Sequence, residues 1–401
     1  MRGPVAVRVE DAAVVSPSGA RRAPLRFARG RVVAASAPAG DDEEIVVSLA
    51  GHLVFPGLVN GHDHLGLNAF PAADVGGPRA SAYEWIDALQ PILASERYRA
   101  VKRVDGAVRA RHGALKNLLS GVTTVAHHDP WLDAMGRDDF PIRVVRPYAW
   151  CHSLRFAGRY GPTVEAALAA APAGAPFFVH LAEGTDAEAA GELARLDRLG
   201  GLGPATLLVH GVGLGTADVE RVLERGAGVA WCPASNLRVL GATLDPRPLL
   251  AAGRLALGTD SRLSGALDLL EELRVARKCA SLDPPDLLRL VTTDAARLLG
   301  LADAGHLDEG ARADFLVVRE VDGDPRAALA GSTRAGLRAV VLDGVPRVAD
   351  PDLLPWLEAA GVPARRILLD GVPKVADARL FTDEASALEP GLSVASAGRG
   401  S

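Results

Sequence analysis

The sequence predicts an α/β protein: a (β/α)8 barrel of parallel strands wrapped by helices, joined to a smaller unit of β-strands. Three observations carry this expectation. Up to about Val54 the chain runs in short alternating stretches (Val5-Ala-Val-Arg-Val, Arg31-Val-Val-Ala-Ala, Ile45-Val-Val-Ser-Leu) broken by Gly, Pro and Asp-Asp, a pattern of short strands. From Pro56 to about Leu301 short apolar runs alternate with amphipathic stretches, the rhythm of parallel strands with helices outside. After Leu301 the strands return. A length of 401 residues accommodates a barrel of about 250 residues and an accessory unit.

Barrel strands are expected at 58–61, 122–127, 142–148, 177–180, 206–210, 229–232 and 255–258. An eighth is expected within 151–176, where Gly158, Gly161, Pro162 and an alanine-rich run make the fourth barrel position short or distorted. Thr185-Asp-Ala-Glu188 reads as a capping box ahead of a helix over 189–199, and Thr216 or Asp218 caps a helix that runs through Glu224 and ends at Gly226. Beyond the barrel, Leu342-Asp-Gly-Val-Pro-Arg-Val-Ala-Asp350 repeats as Leu369-Asp-Gly-Val-Pro-Lys-Val-Ala-Asp377. Asp-Gly between apolar strands is a two-residue hairpin signal, so each copy predicts one hairpin. The expected division is 1–55 and 302–381 for the β unit, 56–301 for the barrel, and a tail over 382–401 without order.

The balance of 44 Lys and Arg against 49 Asp and Glu lacks the basic excess of a nucleic-acid binder. Cys151, Cys232 and Cys279 lie far apart, which argues against a disulfide framework or a thiolate metal site. The opening stretch carries no apolar run of signal-peptide length, and no run reaches a membrane span, so the expectation is a cytoplasmic protein.

The chemistry gathers at the strand ends. His62 and His64 end the first barrel strand, and period two puts both side chains on one face. His180 ends Phe177-Phe-Val-His, His210 ends Thr206-Leu-Leu-Val-His, and Asp260 follows Leu255-Ala-Leu-Gly-Thr. Five metal-capable groups thus stand at the C-terminal ends of four strands, which a barrel brings to one mouth.

Set beside Pro56-Gly-Leu-Val-Asn-Gly-His-Asp-His64, the segments Gly121-Val-Thr-Thr-Val125, His180-Leu-Ala-Glu183, Cys232-Pro-Ala-Ser-Asn236, Leu257-Gly-Thr-Asp-Ser261 and Gly305-His-Leu-Asp-Glu-Gly-Ala-Arg-Ala-Asp314 make the chain resemble the amidohydrolase superfamily, in its cytosine deaminase, guanine deaminase and triazine hydrolase branch. The resemblance covers most of 45–320. It implies a distorted TIM-type barrel with a small β-sandwich domain built from both chain ends. It also implies that His62, His64, His180 and Asp260 hold one divalent metal, that Glu183 moves protons, and that His210 bonds the water or the substrate.

Elementary chemistry agrees with these roles. Three neutral imidazoles and one carboxylate leave a divalent ion able to lower the pKa of bound water to about 7. Asp260 can then take the water's proton, and Glu183 can protonate a ring nitrogen. Residues three apart on a strand face opposite ways, so the chain must turn at Ala182 for His180 and Glu183 to share a site. Binuclear members of the superfamily usually bridge two metals with a carboxylated lysine between the paired histidines and the third. Here only Lys102 and Lys116 lie in that interval, both in helical text, so one metal is expected: zinc first, with iron or manganese fitting the same donors.

Two positions depart from the branch: Asp63 stands between the paired histidines, where alternation points it away from the metal, and Gly-Val-Gly-Leu follows His210. Trp85, His128, His152, Arg155 and Asn236 are the candidate substrate contacts. The leading functional reading is hydrolytic deamination of a heterocyclic or guanidine-type amine. The alternatives are ring-opening of a cyclic amide, as in imidazolone hydrolases, and a catalytically silent scaffold. The expected partner is a small-molecule substrate, with a homodimer as the base-rate assembly.

Overall fold

The computed structural model describes residues 6–36 and 44–394. Eight strands form the barrel region: β1 (Leu58–Asp63), β2 (Val122–His127), β3 (Arg143–Val144), β4 (Ala149–Ser153), β5 (Phe177–Leu181), β6 (Thr206–His210), β7 (Gly228–Trp231) and β8 (Leu255–Leu257). Every ladder among them is parallel. Such strands are covered on both faces, which is why they read as apolar runs: Val122, Val229 and Leu255 have no exposed surface at all.

The ladders form two sheets, β3-β2-β1 and β4-β5-β6-β7-β8, and not the continuous ring the sequence predicts. A single isolated bridge, Asp63 to Asp260, links the β1 and β8 sides. Among the described residues no ladder joins β3 to β4. The strand expected over 142–148 splits there, with Pro147, which has no N–H to donate, between the two pieces. The eighth strand is therefore β4, which starts at Ala149 and ends before the glycine-rich stretch. The result is a TIM-barrel-like α/β fold with mixed sheets.

Three helices fill the long connection from β1 to β2: α1 (Ala82–Leu93), α2 (Glu96–Arg103) and α3 (Gly106–Leu119). Asp105 caps α3 by accepting from the Ala107 N–H at 2.8 Å. From Ala110 to Leu119 every residue of α3 is buried, Lys116 included. The helix after β5, Ala187–Arg198, is capped by Asp186, whose carboxylate accepts from the Ala189 N–H at 2.8 Å, in place of the expected Thr185. The helix Thr216–Glu224 has Gly215 at its N-cap in place of the expected Thr216 or Asp218, and Asp218, three residues in, accepts from the Gly215 N–H at 3.0 Å.

Both chain ends build the β unit. His52–Pro56 pairs antiparallel with Phe315–Arg319 inside a nine-stranded sheet, and Val7–Glu10 lies in a separate four-stranded sheet. Val7, Phe27, Val54, Phe315 and Trp356, drawn from both sheets and a helix, share one core. Each copy of the repeat is a hairpin, Ala339–Leu342 with Val345–Ala349 and Ala364–Leu369 with Val372–Asp377. Asp343, Gly344, Asp370 and Gly371 all have positive φ, as a type I′ turn requires.

The expectation of a tail without order from 382 is corrected over its first part; residues 395–401 lie outside the described residues. A short helix, Asp383–Ala387, and a strand, Leu392–Val394, follow Thr382, and the strand pairs with Ala364–Leu369. Glu389 is buried and pairs with Arg262, Arg334 and His112. Ion pairs between residues this far apart leave no periodicity in the local sequence. Among the described residues, no helix is long and apolar enough to cross a membrane.

Candidate metal centre

Three strand ends turn sharply into the site. Ala182, His210 and Asp260, none of them glycine, have φ of 51°, 75° and 54°. Left-handed backbone at such residues costs of order 1–3 kcal/mol each and persists only where the surroundings impose it. The turn at Ala182 is the one the sequence requires: it carries Glu183 into the same cavity as His180.

The imidazoles meet above β1 and β5. His64 Nε2 lies 3.2 Å from His180 Nε2, and His180 Nε2 lies 3.4 Å from His62 Nε2. Asp260 Oδ1 stands 3.7 Å from both His62 Nε2 and His64 Nε2. Donors on a tetrahedron with zinc–nitrogen bonds of about 2.0–2.1 Å are separated by about 3.3–3.4 Å, so this set has the right spacing. The tautomers agree. His64 Nδ1 meets the Asp129 carboxylate at 3.0 Å and His180 Nδ1 meets the His152 carbonyl at 2.7 Å. Both partners only accept, so each Nδ1 carries a hydrogen, and in the neutral ring each Nε2 presents a lone pair. Two lone pairs at 3.2 Å repel unless a cation or a proton lies between them.

The second oxygen of Asp260 is held by Ser235 Oγ and Ser264 Oγ, each donating at 2.6 Å, which leaves Oδ1 for the cluster. Burial holds His180 well below the ordinary imidazole range, so it is neutral. His64 differs: burial lowers it, but Asp129 raises it to about 9, so a cation must displace a proton there.

Glu183 and His210 form the adjoining wall. Glu183 Oε1 lies 3.4 Å from His210 Nε2, and His210 Nδ1 donates to Asn236 Oδ1 at 2.8 Å. Burial pushes the Glu183 carboxyl well above its ordinary value, and the charges of Asp260 and Glu192 add to the effect. Burial lowers His210 to about 4. Burial thus favours the protonated form of the Glu183 carboxyl and keeps the His210 imidazole beside it neutral at neutral pH.

These groups open on a cavity of about 530 Å3. His64, His180, Glu183, His210 and Asp260 line its polar side; Phe70, Trp85, Leu89, Leu93 and Leu263 line its apolar side. Trp85 and His152 therefore stand where the sequence predicts substrate contacts, and three other candidates do not. His128 is buried, donates to the Cys151 carbonyl at 3.0 Å and stacks on His180 with ring centroids 4.2 Å apart. It belongs to the histidine group itself: nitrogens of His62, His64, His128 and His180 lie within 4.8 Å of one another. Asn236 is buried and orients His210. Arg155 sits over the Tyr83 ring and pairs with Glu188 at 3.4 Å, because an arginine near both finds more there than in an apolar pocket.

Sequence reasoning missed Asp129, Ser235 and Ser264 as groups that orient the donors. The adjacency of Asp129 to His128 and of Ser235 to Asn236 was visible, but which imidazole or carboxylate each would meet depends on the fold. Asp63 points away from the cluster as alternation requires: it bonds Lys116 Nζ at 3.0 Å. Lys116 Nζ also donates to Asn68 Oδ1 at 2.9 Å and Thr259 Oγ1 at 3.1 Å, so all three of its hydrogens are committed.

Known proteins resemble this chain. The amidohydrolase family profile matches residues 161–346. A 5-methylthioadenosine/S-adenosylhomocysteine deaminase of Halobacterium salinarum is 28% identical over 392 residues, covering 82% of this chain and 89% of that relative. An 8-oxoguanine deaminase of Pseudomonas aeruginosa is 34% identical over 170 residues, covering 39% and 38%. Among solved structures, an adenosine deaminase from Xanthomonas campestris with bound zinc superposes with a TM-score of 0.68 at 21% identity, covering 90% of this chain and 98% of that one. A triazine hydrolase variant superposes with a TM-score of 0.70 at 20% identity, covering 89% and 99%. The family match over 161–346 and these deaminase relatives support an enzyme of the amidohydrolase superfamily that acts on carbon–nitrogen bonds, and its fold is shared with the adenosine deaminase and triazine hydrolase structures.

Proposed function

We propose that this enzyme is a mononuclear metal-dependent hydrolase that removes an amine from a ring carbon flanked by nitrogen. The observation that carries the reading is the meeting of three imidazole nitrogens and Asp260 Oδ1 beside the Glu183 carboxyl, at the floor of one cavity. His62, His64, His180 and Asp260 would hold the cation, zinc first, with iron or manganese suited to the same donors. When bound, such a cation supplies a water acidic enough to act as a nucleophile at neutral pH.

The chain's own groups divide the remaining work. Glu183 gives its proton to the ring nitrogen next to the carbon under attack, so the ring accepts the electron pair without developing a full charge. His210, held by Asn236, keeps Glu183 directed into the cavity. Asp260, with Oδ2 fixed by two serines, takes a proton from the water and delivers it to the leaving amine. The commitment of Lys116 to three other acceptors supports one metal and not two.

The cavity wall supports an uncharged substrate with an apolar substituent. Among the described residues lining it, Lys102 is the one lysine or arginine, against the apolar side chains of α1 and of the loops after β1 and β8. We read 56–301 as the catalytic barrel and the two-sheet unit from both chain ends as a β-sandwich beside it.

The test is ammonia release by the zinc-loaded protein across neutral aminopurines, aminopyrimidines, pterins and guanidines, each with and without an alkyl or thioether substituent. Ammonia release that depends on substrate and is lost in Glu183→Gln is the expected result. Release of a carboxylic acid without ammonia from a cyclic amide would replace deamination with ring-opening.

A further inference from the structure

The seam between β1 and β8 is where the barrel carries most of its chemistry, and an isolated bridge with a few backbone hydrogen bonds between 62–64 and 259–260 stands there in place of a ladder. His62 and His64 stand on one side and Asp260 on the other, with the single bridge from Asp63 to Asp260 between them. Side chains fill the gap. Asp63 and Lys116 have no exposed surface. Asp63 Oδ2 accepts from Lys116 Nζ at 3.0 Å, Asn117 Nδ2 at 3.0 Å and Thr259 Oγ1 at 2.9 Å, while Oδ1 accepts from Asn68 Nδ2 at 2.6 Å. Lys116 Nζ returns to Thr259 Oγ1, and Asn60 Nδ2 reaches Thr259 Oγ1 at 2.8 Å. Thr259 is the residue before Asp260, and Asp63 is the residue between the paired histidines. One buried ion pair therefore ties the two donor-bearing segments together.

We propose that Asp63 and Lys116 are positioning residues that fix the separation between the His62/His64 pair and Asp260, and so set the affinity of the site for its divalent cation. The proposal rests on the metal-site reading above. A contribution to fold stability alone explains the pair poorly, because buried ion pairs are often replaceable by uncharged side chains at no net loss. What an apolar pair would not supply is direction. The ammonium has three acceptors and the carboxylate has donors from five side chains, Asn60 being the fifth at 3.3 Å, so neither segment can shift without breaking a charged hydrogen bond. The pair also accounts for the unusual Asp63: its charge in this position requires a buried cation behind the strand, and Lys116 is that cation.

The experiment measures zinc affinity by competition with a chromogenic chelator, and the visible spectrum of the cobalt-substituted protein, in three proteins: wild type, the double variant Asp63→Asn/Lys116→Met, and Thr259→Val. The double variant removes both charges at nearly constant volume. Thr259→Val keeps the ion pair and cuts its link to the Asp260 segment. Both are expected to keep a cooperative thermal transition, to bind zinc about 10- to 100-fold more weakly, and to show an altered cobalt spectrum, in line with the usual cost of losing groups that orient metal ligands. Zinc affinities within twofold of wild type in a folded double variant would overturn the proposal. Should the double variant fail to fold, Thr259→Val decides on the same criterion. A wild-type protein that takes up no divalent cation would overturn the metal-site reading and this proposal with it, whereas unchanged affinity in the variants overturns this proposal alone.

Discussion

Two buried clusters of charge lie on either side of Arg262, and they are built on opposite plans. Around Glu389 every oxygen has a cation: Arg262 donates to both at 2.8 and 2.7 Å, Arg334 adds a bond, and His112 Nε2 lies 2.8 Å away. Around Asp260 the carboxylate Oδ1 and the Nε2 atoms of His180 and of neutral His64 present lone pairs toward one another. The first cluster is complete within the chain; the second is complete only with a cation that the chain does not supply. Burial and charge density alone do not mark a functional site. Convergence of unshared lone pairs does.

The largest expected effect falls on the incomplete cluster. Asp260→Ala removes one donor and the acceptor of two serine hydroxyls, and it should abolish both metal content, read by elemental analysis, and turnover. Glu183→Gln should keep the metal and lower kcat by ~10²–10⁴, the range for general acid–base groups. Loss of metal in Glu183→Gln would merge the two roles that the geometry separates.

The complete cluster predicts a stability phenotype. Burial works to raise the Glu389 carboxyl, but the His112 hydrogen bond and the Arg262 charge outweigh it and hold the group well below the usual carboxylate range. A folded-state pKa below the unfolded value means that the stabilisation is present above about pH 4.3 and fades as pH falls through the folded value. Glu389→Gln leaves two guanidinium groups short of a charge, so it should lose about 3–5 kcal/mol at pH 7 by denaturant titration, with the deficit shrinking in acid. Folded Glu389→Gln should retain a kcat near wild type. A large fall in kcat at full metal occupancy would show that the C-terminal segment reaches the chemistry through Arg262.

How much of this was legible follows from which interactions leave a local trace. His62, His64, His180, His210 and Asp260 were readable because a strand end at a fixed period is a local pattern, and the turn at Ala182 followed from counting residues between His180 and Glu183. The hairpins at Asp343-Gly344 and Asp370-Gly371 were readable because a type I′ turn restricts its own two residues. Glu389, by contrast, finds Arg262 across 127 residues. Nothing near position 389 records that pairing, so a segment of ordinary tail composition folds into the barrel flank. Lys116 was read only as a residue in helical text, and its service to Asp63 depends on the side-by-side approach of α3 and β1. His128 and Asn236 were singled out for the right chemistry and the wrong partner, because a strand-end side chain can face the cavity or the ring of donors beneath it, and packing decides which.

The last expected effect is one of pH dependence and concerns a carboxyl that belongs to neither plan. Glu272 is fully buried; its Oε1 accepts from the Ala234 N–H at 2.8 Å while Oε2 has no partner. Burial raises it to about 8, against the pull of that N–H and of Lys116. The folded protein therefore holds a proton that the unfolded chain releases above about pH 4.3, and stability should fall with pH by about 1.4 kcal/mol per unit between there and about pH 8. Glu272→Gln mimics the protonated form and removes that slope. Near pH 5 the variant should be equal to wild type or slightly less stable, since its amide brings one more hydrogen without an acceptor. Relative to wild type it should gain steadily up to pH 8, with metal affinity unchanged. Parallel stability curves for the two proteins between pH 5 and 8 would show that Glu272 is ionised in the fold, and that the neighbourhood of Asp260 carries one more negative charge than its geometry implies.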